Sequence, residues 1–297
     1  MRLLHALALV LVVVAACAAP PRPQAVNPEP SRGHDPRIPE PSPGHDPRMP
    51  ALTAEIETLL AERDGTYGVS VGFVPTGQRA TRDADRVFAS ASVYKIAVAY
   101  EVLRQADRGA LGLADPLMVE DEDVVEAEPA GGLAPDEEVS VWAALEAMMG
   151  VSSNSAAHAL MRLVGRGQIN ASLTALGLHQ TRVPLDATES AVTTAADMAQ
   201  LFDLLATDRL LAANSRAALR TLLALPEEVD PLVACLPPGT QVLSKVGNGE
   251  RASNVSGLVE TPRGPLIISV FDDDVDPGEA RATIEAIALA AWSIYSE

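Results

Sequence analysis

The chain is poor in lysine, histidine and cysteine, and each scarcity excludes a kind of chemistry. Of its 22 basic residues 20 are arginines, and the two lysines are Lys95 and Lys245. Five histidines leave few candidates for a Ser-His-Asp triad or a multi-histidine zinc site. The two cysteines, Cys17 and Cys235, are far apart and form no C-x-x-C motif, so the sequence predicts no metal site.

Positive charge is scarce as well. The net charge is −18 over 297 residues, so the chain lacks the basic face that attracts nucleic acids and anionic lipid surfaces. We therefore expect no nucleic acid partner and no peripheral membrane binding. Apolar residues make up 47% of the chain and aromatic residues only 3%, which predicts a substantial core built mainly of Ala, Leu and Val.

Residues 1–16 have the pattern of a secretory signal peptide. Arg2 precedes an apolar run of 14 residues, Leu3 to Ala16, which is too short to span a bilayer. The run leads into Cys17 and resembles the lipobox of bacterial lipoproteins, in which the cysteine is acylated. The resemblance implies a lipid anchor on Cys17 and a location on the extracytoplasmic face of the cell membrane. A plain signal peptide with an incidental cysteine is the alternative.

Residues 17–50 are rich in proline and cannot bury a core, so they are expected to form an extended tether. The motif Gly-His-Asp-Pro-Arg occurs twice in this segment, at 33–37 and 44–48. The repeated histidine invites a metal-binding interpretation, but duplication of a linker segment is the simpler one.

Residues 51–297 have the pattern of one folded domain. An amphipathic helix precedes two strands at 67–74 and 78–82, and a long helical block follows them. Three further strand candidates come before a last helix at 277–295; they lie at 240–247, 253–260 and 266–271. This order predicts an α+β fold in which the N-terminal and C-terminal segments share one antiparallel sheet flanked by helices. The helical block would be an inserted all-α half, with the active site in the cleft between the halves.

The two lysines draw attention to the segment that follows the second strand. Ser92 and Lys95 stand three residues apart in a stretch, 92–108, whose pattern predicts a helix, so their side chains should share one face. Arginine keeps its proton in proteins, whereas a buried lysine can lose it. Ser92 is therefore a candidate nucleophile beside its base, although an isolated Ser-x-x-Lys also arises by chance in a chain of this length.

Three motifs, in this order, resemble those of the class A serine β-lactamase and penicillin-binding protein superfamily. They are Ser92-x-x-Lys95, Ser152-x-Asn154 and Lys245-x-Gly247. Segments around these motifs resemble the same family, so that the resemblance covers about residues 52–296. It implies a β-lactamase/transpeptidase-like fold and an enzyme without a cofactor. No apolar surface stripe in the sequence indicates a protein partner, so we expect a monomer.

The resemblance implies a role in acyl transfer for three side chains. Ser92 would attack an amide carbonyl and become acylated. Lys95 would accept a proton, and Ser152 would relay one to the leaving nitrogen. Helix capping is the alternative interpretation of Ser152 and of Asn154.

Four further residues would bind the substrate according to the same resemblance. Asn154 would bond the amide of the substrate's side chain, and Lys245 would attract its carboxylate. The backbone N–H groups of Ser92 and Asn248 would form the oxyanion hole, and Gly247 would let the substrate lie close to its strand.

The sequence departs from the family's pattern in three places. The middle residue of the family's S-D-N motif is Ser153 here, and the middle residue of its K-T-G motif is Val246. The family's Ω-loop motif, R-x-E-x-x-x-N, which carries the glutamate for deacylation, is absent. The loop at 182–193 is short and contains two carboxylates, Asp186 and Glu189. Either could activate water, and we take Glu189 as the candidate.

The expected function is that of a β-lactamase-like serine hydrolase acting on β-lactams or related D-amino-acid amides. A penicillin-binding or D,D-peptidase-like protein, which acylates but deacylates slowly, is the alternative within the same superfamily. A peptidoglycan-binding lipoprotein without catalytic activity is the alternative from another class.

Overall fold

The computed structural model describes residues 46–125, 128–186, 189–226 and 229–296, which belong to one compact unit. The predicted signal peptide, Cys17 and the first 29 residues of the expected tether, 17–45, lie outside the described residues. No helix among the described residues is both long and apolar enough to cross a membrane.

The order of elements matches the order that the sequence predicts. The helices are α1 (Met49–Ala61), α2 (Lys95–Asp107), α3 (Val141–Gly150), α4 (Asn154–Val164), α5 (Arg166–Ala175), α6 (Ala195–Ala206), α7 (Ala213–Leu223), α8 (Pro231–Cys235) and α9 (Pro277–Tyr295). The strands are β1 (Thr66–Phe73), β2 (Gln78–Arg82), β3 (Phe88–Ala89), β4 (Pro116–Met118), β5 (Glu138–Ser140), β6 (Val192–Thr193), β7 (Val242–Gly249), β8 (Ala252–Thr261) and β9 (Gly264–Asp273).

Five of these strands form one antiparallel sheet in the order β2-β1-β9-β8-β7. Strands β1 and β9 come from opposite ends of the chain and pair along their whole length, from Thr66 opposite Asp273 to Phe73 opposite Leu266. The predicted α+β fold with a shared antiparallel sheet is therefore confirmed.

Both faces of the sheet are covered by helices, so its central strands are buried along most of their length. One face packs against α1 and α9 through residues such as Leu52 and Ile284. The other face packs against the all-α half, which comprises α2 to α7, through Leu258, Ile267 and Phe271. Burial of apolar side chains on both faces fixes the sheet as the middle layer of three.

Helix α2 is the central helix of the all-α half. The first nine residues of this helix, Lys95 to Leu103, are all buried. A short 3-10 turn, Ala91–Tyr94, precedes α2 and packs against β7. The turn that carries Ser92 therefore lies where the sheet and the helical half meet.

The folded domain begins a few residues before position 51, because part of the second Gly-His-Asp-Pro-Arg copy is packed against it. Asp46 is buried and forms an ion pair with Arg48 at 2.8 Å. The Arg48 guanidinium lies 4.7 Å from the ring centroid of Tyr295 and 5.5 Å from that of Phe73, within the range of cation–π attraction.

Residues 118–138 form an acidic loop that is held in place at both ends. Strands β4 and β5 pair across its ends, with Leu117 opposite Val139. Inside the loop, the buried carboxylate of Asp123 accepts a hydrogen bond from Arg162 of α4 at 2.7 Å. This loop is therefore attached to the helix that follows the Ser152–Asn154 segment.

Candidate active site

The turn that carries Ser92 is held from two sides. The backbone N–H of Ser90 donates to the carbonyl of Ala191 at 2.9 Å, and the buried Asn254 donates through Nδ2 to the carbonyl of Ala89 at 2.9 Å. Ala91 has a φ of 43°, a left-handed conformation that L-residues rarely adopt and that is common at functional turns. Ser92 is half-buried and lies in the 3-10 turn, so the α-helix begins at Lys95 and not at Ser92 as the pattern predicts.

Lys95 is fully buried, and its amine is bonded to the segment between α3 and α4. Its Nζ donates to Asn154 Oδ1 at 2.8 Å, to Ser152 Oγ at 3.1 Å and to the carbonyl of Ser152. These three contacts bring the first two motifs of the sequence into one site.

In the Ser152–Asn154 segment, one residue caps α4 and the other two contact Lys95. Ser153 caps α4, since its Oγ accepts a hydrogen bond from the N–H of Ala156 at 3.0 Å. Ser152 and Asn154 direct their side-chain oxygens to Lys95 instead. Ser152 has a φ of 58°, and such strain is typical of residues whose position matters for function.

Strand β7 brings the third motif to the same place. Lys245 is fully buried, and its Nζ donates to the carbonyl of Val246 at 3.0 Å. A Cβ on Gly247 would lie 2.7 Å from the carbonyl oxygen of Ser90 and 3.0 Å from the N of Ser92. The turn that carries Ser92 therefore packs against β7 at a point where a side chain would leave no room for it.

Asn248 follows Gly247 and is exposed at the end of β7, where its Oδ1 accepts a hydrogen bond from Ser253 Oγ at 3.2 Å. Asn248 and Ser152 line a common cleft of about 460 Å³. The other lining residues are Pro129, Ala130, Gly150, Val151, Pro226 and Val229. The cleft between the two halves is therefore open beside two of the predicted site residues.

In the loop at 182–193, the carboxylate of Glu189 bonds a residue of the loop itself. Glu189 is exposed, and its Oε2 accepts a hydrogen bond from the N–H of Leu185 at 3.0 Å. Asp186 is also exposed. Asn170 of α5 bonds both the N–H and the carbonyl of Val183, at 2.9 and 3.1 Å, and so anchors the start of the loop. The described contacts of Glu189 do not reach Ser92 or Lys95.

Glu128 also contacts the candidate site, although no motif in the sequence marks it. Glu128, in the acidic loop, accepts hydrogen bonds at the start of α4 from the backbone N–H of Asn154 and from the backbone N–H and hydroxyl of Ser155. It also bonds the hydroxyl of Ser153. Nothing in the local pattern distinguishes Glu128 from the other acidic residues of its loop.

Burial shifts the pKa values of two titratable side chains near the turn that carries Ser92. Burial raises the pKa of Tyr94 to about 12, with Arg166 acting in the opposite direction. Burial, followed by the nearby positive charge of Arg166, lowers the pKa of His158 in α4. The positive charge of Lys95 lowers the pKa of His158 further.

A larger cavity, of about 790 Å³, lies elsewhere, between β2 and α6. Its lining includes three arginines and three aspartates, which are Arg79, Arg86, Arg209, Asp83, Asp85 and Asp203. Because these charges offset each other and the three motifs are absent from it, we place the active site at the smaller cleft.

The chain belongs to the β-lactamase enzyme family, whose sequence profile matches residues 51–295. The structure is similar to that of a β-lactamase from Xanthomonas campestris pv. campestris, with 26% identity and a TM-score of 0.74, over 82% of this chain and 97% of that one. It is similar to an ancestral class A β-lactamase, with 26% identity and a TM-score of 0.76, over 82% and 100% of the two chains.

The penicillin-binding protein PBP-A has the same fold. A PBP-A mutant, solved as an acyl-enzyme complex with penicillin G, matches with a TM-score of 0.76 over 82% of this chain and 96% of that one. The identity is 19%, so this similarity concerns the fold alone. The predicted β-lactamase/transpeptidase-like fold and the resemblance to the β-lactamase and penicillin-binding protein superfamily are both confirmed, and the family supports a hydrolase of β-lactam type.

Proposed function

We propose that this protein is a serine acyl-transfer enzyme that opens β-lactam amides through an acyl-enzyme on Ser92. The observation that carries the proposal is the buried amine of Lys95, the first residue of α2. This amine is bonded to the side chains of both Ser152 and Asn154. A buried lysine amine bonded to a serine hydroxyl, three residues after Ser92, is the arrangement expected of a base beside its nucleophile.

Acylation uses three of these side chains. Ser92 Oγ forms a bond to the lactam carbonyl carbon, and its proton passes to the amine of Lys95, which acts in its neutral form. The bond from the carbonyl carbon to the lactam nitrogen then breaks as Ser152 delivers its hydroxyl proton to that nitrogen. Ser152 takes a replacement proton from Lys95, which becomes neutral again. The backbone N–H groups of Ser92 and Asn248 stabilise the oxyanion.

Substrate binding uses Asn154 and the end of β7. Because the Oδ1 of Asn154 accepts from Lys95, its Nδ2 is the group that donates to the substrate's side-chain amide. Lys245 attracts the substrate carboxylate, and Val246 contributes no hydroxyl to that interaction. Gly247 lets the substrate lie close to β7, and its lack of a side chain also leaves room for the turn that carries Ser92. Penicillin G, which is bound as an acyl-enzyme in the PBP-A mutant, is the first substrate to test.

Deacylation is the step for which the site is least equipped, and this favours the slow-release alternative. Glu189, the proposed water-activating carboxylate, is exposed and bonds Leu185 within its own loop. If Glu189 activates water, Glu189→Gln lengthens the lifetime of the acyl-enzyme; in the slow-release case the lifetime is already long and does not change. Asp186→Asn distinguishes the second carboxylate in the same way.

The proposal is tested by the hydrolysis of penicillin G by the soluble domain and its Ser92→Ala variant. A hydrolysis rate that disappears in Ser92→Ala supports a β-lactamase. Stoichiometric acylation without turnover supports a penicillin-binding protein. Binding of peptidoglycan fragments with neither reaction supports the non-catalytic lipoprotein and contradicts the proposal.

A further inference from the structure

The carboxylate of Glu128 occupies the start of α4, although it comes from a loop 26 residues before Asn154. Its Oε2 accepts from the N–H of Asn154 at 3.2 Å, and from the N–H and Oγ of Ser155 at 3.1 Å each. Its Oε1 accepts from Ser153 Oγ, which in turn accepts from the N–H of Ala156. One side chain thus binds the first turn of the helix that begins with Asn154.

The loop that carries Glu128 is shaped for this contact. A Cβ on Gly132 would lie 2.3 Å from both Cγ and Oε1 of Glu128, so the side chain lies where only glycine leaves room. Gly132 does not have a positive φ, so its backbone conformation does not require glycine. The contact with Glu128 does. The hydroxyl of Ser155 also accepts from the N–H of Val125, which ties the loop to α4 a second time.

The carboxylate of Glu128 lies beside Ser153, where the sequence departs from the family's S-D-N motif. The family's S-D-N motif has an acidic residue between the serine and the asparagine, and this chain has Ser153 there. An acidic group at the start of a helix satisfies free N–H groups and interacts favourably with the helix dipole. Here a residue from the loop supplies the negative charge that the motif itself lacks.

We propose that Glu128 is a positioning residue that holds the Ser152–Asn154 segment in register with Lys95. The hydroxyl of Ser152 and the Oδ1 of Asn154 lie 3.1 and 2.8 Å from the amine, and both residues adjoin the helix start that Glu128 binds. A displacement of about 1 Å at a reacting group can cost about 100-fold in rate. This inference rests on the proposed acylation of Ser92.

The first test measures acylation by penicillin G, resolved into a dissociation constant and a rate constant for acylation, in Glu128→Ala. The expected result is a fall in the acylation rate constant of about 10- to 100-fold, with a dissociation constant within about threefold of the wild type. Glu138→Gln is the matched control, since Glu138 is an exposed carboxylate in the same acidic region, and it should acylate at the wild-type rate.

The second test moves the charge. Adding Ser153→Asp to Glu128→Ala places a carboxylate at the N-cap of α4, where aspartate is favourable, and should restore most of the acylation rate. A purely structural role predicts instead that Glu128→Ala lowers the thermal midpoint while the folded fraction acylates at the wild-type rate.

The third test uses Gly132. Gly132→Ala should reproduce the loss seen in Glu128→Ala, because the added methyl displaces the carboxylate, and it should have little further effect in the Glu128→Ala background. Additive losses in this double-mutant cycle would show that Gly132 acts independently of Glu128.

The outcomes separate this inference from the proposed function. Wild-type acylation kinetics in Glu128→Ala, or a double variant with Ser153→Asp that is no faster than Glu128→Ala, overturn the positioning role. If the wild type is not acylated at all, the proposed function has failed. The positioning role is then tested by amide hydrogen exchange, which should be faster at Asn154 and Ser155 in Glu128→Ala and would be unchanged if the role is wrong.

Discussion

Lys95 is fully buried, and its amine is bonded to the oxygen atoms of two side chains. It donates to Asn154 at 2.8 Å and to the Ser152 hydroxyl at 3.1 Å, and both contacts place the amine between the nucleophile turn and the cleft. A guanidinium retains the positive charge but does not give up a proton in a protein. Under the proposed mechanism, the site therefore requires lysine for its chemistry and not for its charge.

Lys95→Arg should abolish acylation of Ser92 by penicillin G, because the base is removed while the charge stays. Thermal unfolding of the same variant reports whether the larger side chain disturbs the fold, and Lys95→Ala serves as the second variant if it does. A folded Lys95→Arg protein that acylates at the wild-type rate would rule out Lys95 as the base.

Gly247→Ala should reduce the acylation rate by about 100-fold, since the methyl would lie 2.7 Å from the Ser90 carbonyl and push the turn away from β7. Gly249→Ala is the matched control on the same strand, where a Cβ meets Ala252 at an ordinary 3.7 Å. Equal acylation rates in the two variants would contradict the close packing of the turn.

At the scale of elements, a network of buried polar groups joins the sheet to the turn that carries Ser92. Asn254 on β8 donates to Ala89 and accepts from the N–H of Asp272 on β9 at 3.0 Å. The carboxylate of Asp272 accepts from the N–H of Ser253. Burial raises the pKa of Asp272 to about 7, the hydrogen bond from Ser253 opposes this, and the charge of Asp273 adds to it.

The raised pKa of Asp272 predicts a pH-dependent stability. Between about pH 4 and 7 the native state binds more protons than the unfolded state, so the free energy of unfolding should fall as pH rises, by at most roughly 1.4 kcal/mol per pH unit. Asp272→Asn should flatten this slope in urea unfolding at pH 5 and 8. Asp64→Asn, at an exposed position, is the control, and an unchanged slope in Asp272→Asn would contradict the assignment.

The elements that the sequence predicts well are those with a strong pattern of their own. The strand candidates at 240–247, 253–260 and 266–271 correspond to β7, β8 and β9, because apolar runs between turn residues are readable locally. The two-residue strands β3 and β6 have no such pattern, since they exist only through pairing with each other.

The residues of the candidate site also differ in whether the sequence alone reveals them. Ser92, Lys95, Ser152, Asn154 and Lys245 can be found because their spacing forms recognisable motifs. Glu128 and the packing role of Gly247 cannot, because each depends on a contact between segments that are distant in the chain. The left-handed conformations at Ala91 and Ser152 are likewise imposed by tertiary contacts, since neither residue type favours them.

At the scale of the whole molecule, the boundary between the expected tether and the domain can be tested by truncation. Deleting residues 24–44 should leave thermal stability unchanged, whereas deleting 24–50 should lower the thermal midpoint by removing Asp46, Arg48 and the start of α1. Arg48→Ala in the full domain should reproduce part of this loss, with the exposed Arg263→Ala as control. Equal midpoints for the two truncations would show that the Arg48 contacts contribute nothing.

The proposed location depends on Cys17, which lies outside the described residues. We propose that Cys17 is acylated and anchors the protein on the extracytoplasmic face of the membrane. Metabolic labelling with a fatty acid should mark the wild-type protein and not Cys17→Ser, and an unlabelled wild type would support the plain signal peptide instead.

The central claim is that Ser92 is acylated, and intact-protein mass spectrometry after mixing with penicillin G tests it most directly. The account predicts an adduct of the intact drug mass that maps to Ser92 and is missing in Ser92→Ala. The decay of the adduct over time then separates a β-lactamase from a penicillin-binding protein. The absence of both an adduct and hydrolysed drug at saturating penicillin G, in a protein shown to be folded, would contradict the account.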